Sequence, residues 1–190
     1  PTVIVAASNA SNTARAHFVA DGTDDEVQIQ AAIDSLPSGG GTVLLTEGTF
    51  NVGTTTYTDR AINMATGTRL VGSGLGTVLR LNDTHSANIN IIEAEGSVGS
   101  KMTKVSISDL VVDVNRSNQT PSTYNQIGIY LYYVASSSIE RVEVRDSWGD
   151  TVRIREADNV YVTKISTKNS DSRGVRLWVT TNSVVSDSYF

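Results

Sequence analysis

Tyr130, Tyr132, Arg153, Arg155, Arg176 and Trp178 are the side chains of this chain best suited to recognising an acidic sugar. Flat aromatic faces stack against sugar rings, and guanidinium forks take carboxylates through two parallel hydrogen bonds. The six fall into two columns, Tyr130/Arg153/Arg176 and Tyr132/Arg155/Trp178, in which each residue lies 23 positions after the one before. Both columns look nearly free of opposing acids. An ordinary solvated strand face, with arginine stems lying over aromatic neighbours, is the plainer alternative.

The elements that carry these residues repeat as well. Ile129-Tyr130-Leu131-Tyr132, Val152-Arg153-Ile154-Arg155 and Val175-Arg176-Leu177-Trp178 start 23 residues apart, and Ile139, Val162 and Val185 keep the same step. Val142/Ile165/Ser188 and Val144/Thr167/Phe190 follow in register. A fixed period in this range signals stacked units, because one unit cannot bury its apolar face alone. Strand alternation then sends Ile129/Val152/Val175 and Leu131/Ile154/Leu177 inward and the six candidates outward, on rungs about 4.8 Å apart. Ile107, Leu110 and Val112 match Ile139, Val142 and Val144 at a spacing of 32, which is one coil plus an extra loop. The polar stretch 115–126 supplies that loop, and 83–104 reads as loop-rich.

Upstream, Val3–Ala7 reads as a strand. Thr23 and Glu26 have capping-box spacing, and Ile29, Ile33 and Leu36 give the following helix one apolar face. Pro37 and Gly39-Gly40-Gly41 stop it. The expected organisation is a single domain over 1–190, with a strand and capping helix in 1–41 and coils in 42–190.

The stretch Asp21-Gly22-Thr23-Asp24-Asp25-Glu26-Val27-Gln28-Ile29-Gln30-Ala31-Ala32-Ile33, with Gly39-Gly40-Gly41-Thr42-Val43-Leu44-Leu45 and Gly48-Thr49-Phe50, resembles the N-terminal entry of right-handed parallel β-helix proteins. Gly72-Ser73-Gly74-Leu75-Gly76-Thr77-Val78-Leu79 is similar to the second-coil signature of that pectate-lyase-like superfamily, which includes polygalacturonase-like enzymes and phage tailspikes. The resemblance implies an all-β solenoid, a single-stranded right-handed parallel β-helix with an N-terminal capping α-helix. It further implies an extracellular, cell-surface or virion-surface module of tailspike or polysaccharide-lyase type that interacts with polysaccharide. The rival reading is a non-catalytic structural solenoid, a stalk or filament subunit. Phe190 falls in mid-coil, so the coils are expected to be truncated at the C-terminal end, or covered by self-association as a trimer or end to end.

Catalytic residues stay unassigned. The Asn-Thr-Asp, Asp-Asp, Gly-His-Gly and Arg-Ile-Lys elements of the polygalacturonase-like hydrolases are not found, and Arg153-Ile154-Arg155 only partly echoes the last. Arg153, Arg155, Arg173 or Arg176 could supply a lyase base, but nothing selects among them, and Asp146, Asp150 and Asp158 have weaker claims. An enzyme of this type would be a polysaccharide lyase or glycoside hydrolase with active coils beyond residue 190. Outward Asp109 and Asp113 could hold Ca2+, as the resemblance implies. Their ladders, Asp109/Arg141/Lys164/Asp187 and Asp113/Arg145/Lys168, read more simply as surface ion pairing, so no cofactor is expected. A net charge of −5 and a pI near 5.0 argue against nucleic-acid binding. No apolar run approaches the roughly 18 residues of a membrane span.

Overall fold

The computed structural model describes residues 1–85, 87–120 and 126–190, so residues 121–125 of the expected insertion lie outside the described residues. The chain opens with strands β1 (Thr2–Ala6) and β2 (Phe18–Val19), then enters helix α1 (Glu26–Asp34). Strands β3 (Gly41–Leu45), β4 (Gly48–Val52), β5 (Arg60–Asn63), β6 (Thr68–Val71) and β7 (Thr77–Leu81) follow. Next come β8 (Ile89–Glu95), β9 (Met102–Thr103), β10 (Ser106–Asp113), β11 (Gln126–Tyr132) and β12 (Val134–Ser147). The last are β13 (Val152–Thr163), β14 (Ser166–Ser170), β15 (Val175–Thr181) and β16 (Val184–Ser186).

All pairings between these strands are parallel, and they stack into three faces of a parallel β-helix. The first face is β5–β8–β11–β13–β15. On the second, Val3, Val43, Leu70, Ile107, Ile139, Val162 and Val185 occupy successive rungs of one interior column. On the third, Phe50, Leu79, Val112, Val144 and Thr167 do the same. The expected registers at spacings of 23 and 32 are therefore both present. Leu131, Ile154 and Leu177 stack as one column; the first two are fully buried, and Leu177, on the last rung, is 38% exposed.

Segment 83–104 is loop-rich as expected, but it also carries a strand that spacing did not reveal, because Ile89–Glu95 forms β8 directly beneath β11. Its Ile92/Glu93/Ala94/Glu95 alternation repeats the in–out pattern of Ile129/Tyr130/Leu131/Tyr132, but 37 residues earlier, so the 23-residue period hides it.

The coils turn corners on single residues with positive φ. Asp109, Arg141, Lys164 and Asp187 share one corner column at φ 49–59°, and Tyr133, Glu156 and Val179 share another at 49–53°. Ser136/Asn159/Asn182 and Asp146/Asn169 make two more. Each left-handed residue lengthens the inward step from two positions to three, which explains why the buried positions run Ile139, Val142, Val144 rather than at even spacing. A non-glycine side chain pays about 1–2 kcal/mol for this conformation.

Helix α1 lies against β1 and β5 and buries Ile29, Ala32 and Ile33, as its periodicity indicated. The capping box does not form: the N-cap is Asp25, with no side-chain cap bond. Its acids serve the first coil instead. Asp25 accepts from the Gly22 and Asn51 amides, and Glu26 accepts from those of Gly53 and Thr55. Gln30 clasps β5 through the Asn63 amide and carbonyl at 2.9 and 3.2 Å. No helix among the described residues is long and apolar enough to cross a membrane.

Val179 tests the corner geometry, because a β-branched residue at φ 53° is strained while its 60% exposure leaves little packing to lose. Val179→Asn is expected to raise the unfolding midpoint by about 2–4 °C, roughly 1 kcal/mol. A midpoint that stays put or falls would show that the corner is relaxed.

Candidate functional site

The first face brings all six candidate side chains together on its outer surface. Tyr130, Arg153 and Arg176 stand on successive rungs, and Tyr132, Arg155 and Trp178 stand beside them. Guanidiniums and rings interleave. Arg155 lies 5.1 Å from the Tyr132 ring centre one rung below and 4.3 Å from the Trp178 centre one rung above. Arg176 lies 4.5 Å from the same indole, and Arg153 lies 5.8 Å from Tyr130. Tyr130 and Tyr132 stack at 5.7 Å with planes 10° apart, and Tyr132 also meets Tyr133 at 4.3 Å.

The columns are not free of acids. In register, Glu93 pairs with Tyr130 and Glu95 with Tyr132, because β8 continues the face downward. Glu93 is buried and bound by Arg60 at 2.6 Å and by the Asn90 amide at 2.5 Å. Burial pushes its carboxyl up to about 7, against the pull of Asn90 and Arg60. Burial likewise raises the Tyr130 phenol, although Arg155 and Arg153 oppose it.

Asp150 is the second acid that spacing alone did not select. It sits in the four-residue turn 148–151 that leads into β13, fully buried, and it accepts from Arg153 Nε at 2.7 Å and Ser172 Oγ at 2.8 Å. Burial alone would raise its pKa. Hydrogen bonds from Arg153 and Ser172, with the charges of Arg153 and Arg176, outweigh that and hold the carboxyl below its ordinary range. Arg173 and Arg176 approach the same carboxylate, each at 3.7 Å. One signal could have found the contact: Asp150 and Arg173 are 23 residues apart, on the period itself.

Several outward acids of the other faces, Asp109 and Asp113 among them, are taken up by cations. Arg141 grips both oxygens of Asp109 at 2.5 and 2.9 Å, and Arg145 reaches Asp113 at 3.2 Å. Lys168 pairs with Glu143 at 2.6 Å and Lys101 with Asp158 at 2.5 Å. Asn169 donates to Asp146 at 3.0 Å, continuing their corner column. Among the described residues, no group of three or more His, Asp or Glu side chains gathers to hold a metal.

A parallel β-helix with an aromatic–guanidinium face is thus what the chain builds, and known proteins share its outline. No family model matches the chain. It is similar to the mannuronan C5-epimerases AlgE3 and AlgE6 of Azotobacter vinelandii, at 32% and 33% identity over 134 residues, or 67% of this chain. The match spans only 7% and 15% of those relatives. Among solved structures, the A-module of AlgE4 from the same organism superposes with a TM-score of 0.62 at 25% identity, covering 88% of this chain and 55% of that one. ORF18 of Geobacillus virus E2 gives 0.70 at 20% identity, covering 85% and 32%. The viral likeness is one of fold alone.

Glu93 makes stability depend on pH. Its folded pKa lies above the ordinary 4.5, so the fold holds a proton that the unfolded chain has lost between 4.5 and about 7. Its contribution is therefore full below 4.5 and is lost as pH rises through about 7. Glu93→Gln should flatten the unfolding midpoint across that window. A midpoint that still falls as steeply in the variant would assign the dependence to another group.

Proposed function

We propose that the chain is a carbohydrate-interacting β-helix module that binds an acidic polysaccharide on the first face, in an extracellular, cell-surface or virion setting. The observation that carries this is Arg155, set in rung order between Tyr132 and Trp178. A stacked guanidinium spends its faces on the rings, while its N–H groups lie in its own plane and point past the ring edges, where an outer amino group can meet a carboxylate. The likeness to mannuronan C5-epimerases supports the reading, because the polymer in their name carries a carboxylate on each sugar. Tyr130, Tyr132 and Trp178 would meet sugar rings; Arg153, Arg155 and Arg176 would provide the charge. Helix α1 would close the first coil at the N-terminal end.

Calorimetric titration with oligomannuronate tests this. Arg155→Ala and Trp178→Ala should each weaken binding roughly tenfold, about 1.4 kcal/mol. Affinity indifferent to both changes removes the face from the binding site.

A second reading, a structural solenoid that self-associates as a stalk or filament subunit, is told apart from this one by its mass in solution. Light scattering over a dilution series should then show a concentration-dependent mass; a constant monomer mass would exclude it.

A further inference from the structure

The turns 148–151 and 171–174 lie one above the other, with the Thr151 amide donating to the Arg173 carbonyl at 2.9 Å. They gather three arginines around one buried carboxylate, so the local charge is +2 in a chain whose net charge is −5. Arg153 consumes one Asp150 oxygen at 2.7 Å and Ser172 the other at 2.8 Å. Arg173 and Arg176, at 3.7 Å, are close enough to feel the charge but beyond hydrogen-bond length. The adjacent acid Asp171 is already paired with Arg116. Among the described residues, the side chains of Arg173 and Arg176 therefore face each other across one shared counter-charge with their donors unspent. Arg173 leaves 60% of its side chain in solvent.

We infer that Arg173 and Arg176 form a carboxylate-binding pocket, with Asp150 as the positioning residue that holds the two forks together. The ligand is the carboxylate of a uronic acid, whose two coplanar oxygens match paired guanidinium donors. The inference rests on the first face being an acidic-glycan surface, and it deepens that reading. It extends the surface into the turns, where Arg173 becomes a specificity-determining contact and Arg153 serves chiefly to brace Asp150. A bound carboxylate supplies the missing negative charge, so occupancy stabilises the fold.

The test uses the monosaccharide sodium glucuronate, with glucose plus matched sodium chloride as the neutral control. At about ten times Kd, glucuronate should raise the wild-type unfolding midpoint by ~3 °C while glucose leaves it unchanged. Arg173→Ala should abolish the rise, Arg173→Lys should retain part of it, and Arg69→Ala, at an exposed arginine of the second face, should keep it. A wild-type midpoint that ignores glucuronate, or a rise that survives Arg173→Ala, overturns the pocket. A larger response to sodium sulfate than to glucuronate overturns its assignment to a carboxylate. Failure of the wider surface would appear separately, as oligomannuronate binding that Arg155→Ala and Trp178→Ala leave untouched.

Discussion

Each coil must return to a point directly above where the previous one began, and the rest of the structure follows from that closure. Parallel ladders demand it, because every rung takes its hydrogen bonds from the rungs above and below. The single left-handed residues make it possible in 23 positions. At Glu156 the step from Ile154 to Ala157 is three residues, so both methyl-bearing side chains stay inside while the backbone bends between them. At Asn159 and Lys164 the same device carries Ala157 to Val160 and Val162 to Ile165. With the interior filled in this way, Arg153 and Arg155 have nowhere to point but outward, over the residues of the neighbouring rungs.

The outer face then faces a problem of like charge. Four arginines on two adjacent rungs and the turn beside them would repel one another in a partly desolvated setting. Two different solutions appear. Rings separate Arg155 and Arg176 from further cations, each contact worth about 0.5–2 kcal/mol. In the turns, a buried carboxylate does the work, and its ionised state is secured by Arg153 and Ser172. Lower on the same face the sign reverses, with Arg60 serving Glu93, Glu95 and Asp59.

Much of this was legible from spacing. The registers of β11, β13 and β15, and of β10 with β12, follow from the recurrence of Ile129, Val152, Val175 and of Ile107, Ile139. The six outward candidates follow from alternation within those strands. What escaped did so for physical reasons. β8 belongs to the face but lies off the period, because the linker between β10 and β11 and the connection from β8 to β10 are both longer than their counterparts in the next coil. Thr23 and Glu26 looked like a capping box, whereas the amides of Gly53 and Thr55 compete for Glu26 and win. Left-handed corners are invisible when they fall on Arg141, Glu156 or Val179, since no glycine marks them. Asp150 shares the period with Arg173, yet only coordinates reveal that burial turns the pair into a centre for three cations.

The links into β13 and β15 are four residues each, shorter than 53–59 before β5, 82–88 before β8 and 114–125 before β11. Four residues suffice to round a corner and leave no slack to fold back across neighbouring strands. Among the described residues, the last two coils consequently leave this face as an open shelf. On the proposed reading, a long polymer could be gripped there anywhere along its length, with no need to thread in a free end.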